Sequence, residues 1–157
     1  MSAISRGKIE EQLVVFNLHD QVYGVDIASV IEIIRIEAIT KVPGSPAFIE
    51  GIINLRGKVI PVMDLCTRFS LPPSEVTDST RVIIVEAEVT IGIIVNSVSE
   101  VLRLTESNIE PIPSIITGSS ANALRGIALI DNRMVTLLDL GKLIYEEERQ
   151  ELQGLDC

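Results

Sequence analysis

The amino-acid sequence predicts an all-β protein made of two small β-barrels related by pseudo-twofold symmetry, with a short helix near the C-terminus. Most of its apolar residues are Val and Ile in short runs bounded by Gly, Pro, Asn, Asp or Ser, which is typical of β-strands. Two segments of the first half recur, in the same order, in the second half. Each half holds about five strand candidates, which are enough for a small barrel without free edges.

The first repeated segment covers residues 22–36, which align without a gap on residues 90–104. Gly24 falls on Gly92, and apolar positions coincide almost throughout. The second repeated segment covers residues 51–69 and 126–144. Each of its copies has two apolar strands separated by a dipeptide that tolerates the positive φ of a two-residue hairpin turn: Arg56-Gly57 in the first and Asp131-Asn132 in the second.

The spacing of the repeats predicts the domain organisation. The offset between copies grows from 68 to 75 residues, so we expect a loop insertion around residues 111–124. Residues 71–79 are polar and Pro-rich and are predicted to link the two lobes. From Leu140 onward the apolar spacing becomes helical. The resulting boundaries are a single domain over residues 12–150, a flexible N-terminus over residues 1–11 and a C-terminal tail over residues 151–157.

Composition narrows the classes of partner. The net charge of −9 repels phosphate backbones and anionic lipid surfaces, so we expect no nucleic acid and no direct membrane insertion. Charged residues interrupt every apolar stretch before the roughly 18 residues of a membrane helix. The N-terminus lacks the apolar block of a secretory signal, which predicts a cytoplasmic location. Aromatic residues make up only 3%, so any binding surface is expected to be aliphatic.

Catalytic signatures are missing from the sequence. It has no GxGxxG, P-loop, GxSxG or HExxH motif. The single histidine, His19, lies where a turn is expected, and the two cysteines, Cys66 and Cys157, are far apart. We therefore expect no enzymatic activity, no metal site and no cofactor.

One enzymatic alternative follows from the repeat. Asp64 and Asp139 are equivalent, and two carboxylates sharing a proton across a pseudo-dyad would make an aspartyl hydrolase. Such enzymes place a small hydroxyl residue and Gly after each Asp, whereas Leu follows both aspartates here. The favoured interpretation is that each Asp caps the turn or helix that follows it.

Four stretches together resemble the signature segments of the CheW family: YGVDIASVIEI, SPAFIEGIINLRGKVIPVMDL, GIIVNSVSEVL and MVTLLDLGKL. The resemblance covers roughly residues 12–144, and the NLRG turn combined with (V/I)PVxDL is highly specific. Asn96 departs from the family pattern, which commonly has Asp there. Asn keeps the hydrogen-bonding shape but loses the charge.

The resemblance implies a fold of two intertwined, five-stranded, SH3-like barrels and a non-catalytic adaptor function. Family members couple transmembrane chemoreceptors to the CheA histidine kinase in the core signalling complex. The implied partners are the cytoplasmic signalling tip of the receptors and the regulatory domain of the kinase. The implied location is cytoplasmic, at receptor arrays on the inner face of the membrane.

The resemblance also implies site residues. The expected receptor-binding residues are Val30, Glu32, Ile33, Arg56 and Gly57. The expected kinase-binding or groove-lining residues are Gly92 and Val98. Considered alone, Glu32 and Arg56 are conspicuous as charges among Val and Ile, and they are predicted either to pair with each other or a partner, or to be solvated surface charges.

Overall fold

The computed structural model describes residues 10–36, 38–45, 47, 49–73, 75–113, 115 and 123–143. These residues contain two sheets. The six-stranded sheet has the order β8-β1-β2-β11-β10-β9, with strands β1 (Glu10–Leu18), β2 (Gln21–Asp26), β8 (Ser97–Thr105), β9 (Ile109–Glu110), β10 (Leu124–Ile130) and β11 (Arg133–Leu138). The five-stranded sheet has the order β3-β6-β7-β5-β4, with strands β3 (Val30–Arg35), β4 (Ile49–Leu55), β5 (Lys58–Asp64), β6 (Arg81–Ala87) and β7 (Val89–Val95). We call these sheets, with their connections, the six-stranded and five-stranded lobes.

Helical structure is short in the described part of the chain. Helix α1 (Leu65–Arg68) follows β5, and single 3-10 turns occupy Ile27–Ser29 and Glu106–Asn108. A helix begins at residues 140–143, as predicted, and the remainder of the predicted helix lies outside the described residues. The predicted C-terminal tail, 151–157, also lies outside them.

Three apolar clusters form the core. Every strand of the six-stranded lobe contributes to one cluster and every strand of the five-stranded lobe to another, so each sheet curves around its own interior. The third and largest cluster lies between the lobes and takes residues from both. Alternation along β6 shows the principle, because Val82 and Ile84 face the lobe interior while Ile83 and Val85 face the central cluster. Both faces of the sheets are therefore buried over much of their area.

Strand pairing reproduces the predicted duplication. The parallel pair of Val62 with Gly92 in the five-stranded lobe is matched by the pair of Leu137 with Gly24 in the other lobe, at the offsets of the sequence repeat. The β-bulges repeat as well, at Ile31 and Ser99 and again at Glu50 and Arg125. The pseudo-symmetric, all-β architecture is therefore confirmed, with six and five strands.

The lobes do not correspond to the two sequence halves. Strands β1 and β2 of the first half pair with β8–β11, while β3–β5 pair with β6 and β7 of the second half. Residues 71–79 connect α1 to β6 within one lobe, so the prediction that they link the two lobes is wrong. Alternating hydrophobicity specifies which face of a strand is buried but not which strand lies beside it.

Local predictions agree better with the structure. Arg56 and Gly57 have φ values of 52° and 85°, and the equivalent Asp131 and Asn132 have 49° and 66°, so both dipeptides form the expected left-handed hairpin turns. The side chain of Asn54 accepts a hydrogen bond from the Gly57 amide at 2.9 Å. At the N-terminus, β1 begins at Glu10, so the predicted flexible segment 1–11 extends two residues too far, and residues 1–9 lie outside the described part.

Candidate functional site

An ion pair at the edge of the five-stranded lobe is the centre of the candidate site. The guanidinium of Arg56, in the β4–β5 turn, donates to both carboxylate oxygens of Glu32 on β3, with Nη2 3.1 Å from Oε2. Strands β3 and β4 are the two edges of this sheet, so the pair bridges the seam where the sheet closes. The Arg56 side chain is 73% exposed and the Glu32 side chain 25%. Of the alternatives that the sequence leaves open, the structure shows the two residues paired with each other.

The ion pair changes the titration of Glu32. The hydrogen bond from Arg56, aided by its positive charge, lowers the pKa of the Glu32 carboxyl despite a smaller opposing effect of desolvation. Because the pKa is depressed in the folded state, the pair persists at pH values where an ordinary Glu begins to protonate and is lost as pH falls through the lowered pKa. We expect an NMR titration of Glu32 to show a higher pKa in Arg56→Gln than in the wild type. An unchanged pKa would mean that the pair does not persist in solution.

Exposed aliphatic side chains lie on the same strands as the ion pair and its turn. Ile31 and Ile33 on β3 are 51% and 39% exposed, and Val59 on β5, just after the turn, is 67% exposed. Gly57 lies exposed in the turn beside Arg56. The structure thus places four of the predicted receptor-binding residues at the β3–β4 edge of the five-stranded lobe, which we call the first-lobe surface: Glu32, Ile33, Arg56 and Gly57. Glu32 and Ile33 are successive residues of β3 and project from opposite faces of the strand.

Val30 and Val98 lie at equivalent positions of the repeat and behave alike. Each is half-buried and packs against the central cluster between the lobes. Gly92, by contrast, is buried in β7, and a Cβ there would lie 2.8 Å from Val82 and 3.2 Å from Ile84. Its missing side chain therefore faces the lobe interior, and a kinase-binding or groove-lining role for Gly92 stays a prediction.

The six-stranded lobe carries a similar ion pair that the sequence did not reveal. Arg133 at the start of β11 donates to Glu100 on β8 at 2.7 Å. The repeat places Glu100 on Glu32, but the position equivalent to Arg56 is Asp131. Because the basic partner lies on the other side of the turn, the alignment contains no signal that could identify it.

The two equivalent aspartates serve as caps. Asp64 Oδ1 accepts a hydrogen bond from the Cys66 amide at 3.0 Å, and Asp139 Oδ1 accepts one from the Lys142 amide at 3.1 Å. Asp64 ends β5 of one lobe, and Asp139 follows β11 of the other. Each carboxylate thus orders its own turn, and the shared-proton arrangement of an aspartyl hydrolase does not form.

The described residues offer few groups for metal binding or for contact with a membrane. They contain no group of three or more His, Cys, Asp or Glu side chains that could hold a metal ion. No helix among them is long and apolar enough to cross a membrane. His19 lies in the β1–β2 turn, as predicted, with Nε2 2.6 Å from the carbonyl oxygen of Pro72. The candidate site is therefore a sheet edge that combines an ion pair with exposed aliphatic side chains.

Comparison with known proteins identifies the family to which the chain is similar. The family model of the CheW-like domain matches residues 12–148. A probable chemotaxis protein CheW of Rhizobium etli is 38% identical over 144 residues, which cover 90% of this chain and 92% of that protein. The chemotaxis protein CheW of Bacillus subtilis is 33% identical over 144 residues, with coverages of 91% and 92%.

A solved structure supports the same relation. The crystal structure of the scaffolding protein TtCheW from Thermoanaerobacter tengcongensis superposes with a TM-score of 0.80 at 42% sequence identity, covering 86% of this chain and 92% of that one. Both the fold and the sequence therefore agree over nearly the whole length of these proteins. The chain belongs to the CheW family of non-catalytic chemotaxis scaffold proteins.

Proposed function

We propose that the protein couples transmembrane chemoreceptors to a CheA-type histidine kinase by binding the receptor signalling tip and the kinase regulatory domain at separate surfaces. Family membership supports the adaptor role, and the Glu32–Arg56 pair at an edge that also exposes aliphatic side chains carries the assignment of the receptor surface. The proposed location is the cytoplasmic face of the membrane, at receptor arrays. Both lobes, over residues 12–150, act as one functional domain.

The first-lobe surface suits a helical partner that presents both apolar and polar residues. Ile33 offers an exposed apolar anchor, and binding energy at interfaces normally concentrates in a few such residues. The Glu32 carboxylate and the Arg56 guanidinium offer polar groups at the same edge of the sheet, which can fix the register of the partner. Val30 stabilises the start of β3, since it packs on the central cluster. Val98 is proposed to line the kinase-facing boundary between the lobes, with Gly92 contributing only through interior packing.

Introducing a charge at the anchor tests this assignment. We expect Ile33→Asp to weaken binding to a receptor tip fragment about 10-fold or more, because an ionised carboxylate at a desolvated contact replaces apolar area. Binding to the kinase regulatory domain should stay within about 2-fold of the wild type, well below the cost of losing a hot-spot residue. Both affinities can be measured by calorimetry on the full chain.

Val89→Asp is the matched control. Val89 is an aliphatic strand residue of the same lobe, with an exposure of 37% against 39% for Ile33, but it lies on β7 next to the β6–β7 turn. It should leave receptor binding intact. Equal loss in both variants would indicate a nonspecific charge effect, and no loss in either would remove Ile33 from the receptor surface.

A further inference from the structure

The aromatic rings of the described residues form a single column. Phe16 stacks on Tyr23 with ring centroids 5.9 Å apart, and Tyr23 stacks on Phe69 at 5.8 Å, with interplanar angles of 17° and 11°. These distances lie within the range of favourable aromatic stacking. In a chain with only 3% aromatic residues, the concentration of these three rings in one place requires an explanation.

The column crosses from one lobe to the other. Phe16 on β1 and Tyr23 on β2 belong to the six-stranded lobe, whereas Phe69 directly follows α1 of the five-stranded lobe. All three pack on the central cluster, while the clusters inside the lobes consist of aliphatic side chains. Burial, together with the nearby Cys66 of α1, raises the pKa of the Tyr23 phenol, in agreement with its position at this boundary.

Hydrogen bonds hold the chain in place at one of the points where it passes from one lobe to the other. Along the described strands the chain changes lobe twice, between β2 and β3 and between β7 and β8. At the second crossing, the Asn96 amide donates to the Asn17 carbonyl at 3.0 Å, and its Oδ1 accepts from the His19 amide at 2.9 Å. The Asn17 side chain also donates to Ser97 Oγ at 2.9 Å. The crossing is therefore tied to β1 of the other lobe rather than free to swivel.

We propose that the Phe16–Tyr23–Phe69 column fixes the orientation of the two lobes, so that they move as one rigid body and a displacement at one lobe is passed to the other. Aliphatic contacts can repack at modest cost when a boundary slides. Aromatic side chains are large and rigid and pair in a limited range of separations and orientations, so sliding the boundary would take the three rings out of that range. Tyr23, the middle ring, is the positioning residue. The rigid joining of the lobes does not depend on any partner, whereas the role of the column in signalling rests on the proposed coupling function.

Amide hydrogen exchange on the protein alone tests whether the column joins the two lobes. In the wild type we expect core strands of both lobes to share one cooperative opening. In Tyr23→Leu the protection of β6 and of β10 should diverge by at least about 10-fold, since lobes that are no longer joined open separately. Tyr23→Phe keeps the rings and should behave as the wild type.

Ile60→Ala is the control for ordinary destabilisation, because Ile60 is buried in the interior of the five-stranded lobe. It should lower protection in both lobes together. If Tyr23→Leu lowers protection in both lobes to the same extent, as this control does, the column does not join the lobes. If Tyr23→Leu does not fold, the same comparison is made with Phe69→Leu, at the half-buried end of the column, and the same outcomes decide.

The signalling role is tested with the same variants in a reconstituted complex of receptor, kinase and this protein. Tyr23→Leu should bind the receptor tip and the kinase regulatory domain separately within about 2-fold of the wild type, since no proposed contact residue is changed. Receptor control of kinase activity should fall at least 10-fold, whereas Ile60→Ala should retain it. Retained control in Tyr23→Leu would overturn the signalling role. Failure of the wild type to bind either partner would instead refute the proposed function. Hydrogen exchange would then decide by itself whether the column joins the lobes.

Discussion

Replacing Gly51 with alanine is expected to lower the free energy of unfolding by about 3 to 5 kcal/mol, from overpacking and backbone strain together. A Cβ at this position would lie 2.3 Å from the carbonyl oxygen of Thr40 and 2.7 Å from Cγ2 of Ile39. The backbone cannot move away easily, because Thr40 and Ile52 exchange two hydrogen bonds at 2.8 and 2.9 Å across this point. The φ of 155° also disfavours a residue with a Cβ.

Gly57→Ala is the natural comparison for this prediction. Gly57 has a φ of 85°, but a Cβ there would meet nothing within 4 Å, so only the strain of about 1 to 3 kcal/mol applies. Urea unfolding of both variants, with a common slope, separates the two contributions. A midpoint for Gly51→Ala equal to that of Gly57→Ala would show that the Thr40 segment shifts without cost and would contradict the steric argument.

Reversing the charge of Arg56 is expected to produce the largest change in binding. Arg56→Glu removes the two hydrogen bonds to Glu32 and places two carboxylates side by side on the first-lobe surface. If this surface is desolvated by the receptor, the affinity for a receptor tip should fall by roughly 2 to 5 kcal/mol. The fold should survive, because a surface ion pair contributes less than about 1 kcal/mol. Calorimetric titration with the receptor tip and, separately, with the kinase regulatory domain measures the effect.

Arg133→Glu provides a matched charge reversal in the other lobe. It breaks the Glu100–Arg133 pair, which occupies the corresponding seam of the six-stranded lobe. We expect it to leave receptor binding close to the wild type, since the proposed receptor residues lie on the five-stranded lobe. Unfolding midpoints verify that both variants are folded. Wild-type affinity of Arg56→Glu for both partners would show that Arg56 is a solvated charge outside the site.

Several features of the molecule follow from short stretches of sequence. The Arg56-Gly57 and Asp131-Asn132 turns are predictable because Gly and Asn tolerate the left-handed backbone that two-residue hairpins require. The capping roles of Asp64 and Asp139 are predictable because a short carboxylate side chain reaches amides two or three residues ahead. Asn96 keeps an acceptor for the His19 amide that an Asp would also offer. The family assignment rests on the same kind of information, since its signature segments are contiguous.

The arrangement of those pieces is decided only in the tertiary structure. Sequence periodicity marks Gly92 as part of a strand, but its interior position depends on Val82 and Ile84 from a neighbouring strand. The exchange of strands between halves, the column that ends at Phe69 and the Glu100–Arg133 pair likewise join residues that are distant along the chain. By itself, the sequence determined the strands, their turns and caps, the duplication and the family. The tertiary structure decided which strands share a lobe and which side chains meet, because a local pattern specifies a buried face, whereas the neighbour of that face depends on pairing register and packing across the whole chain.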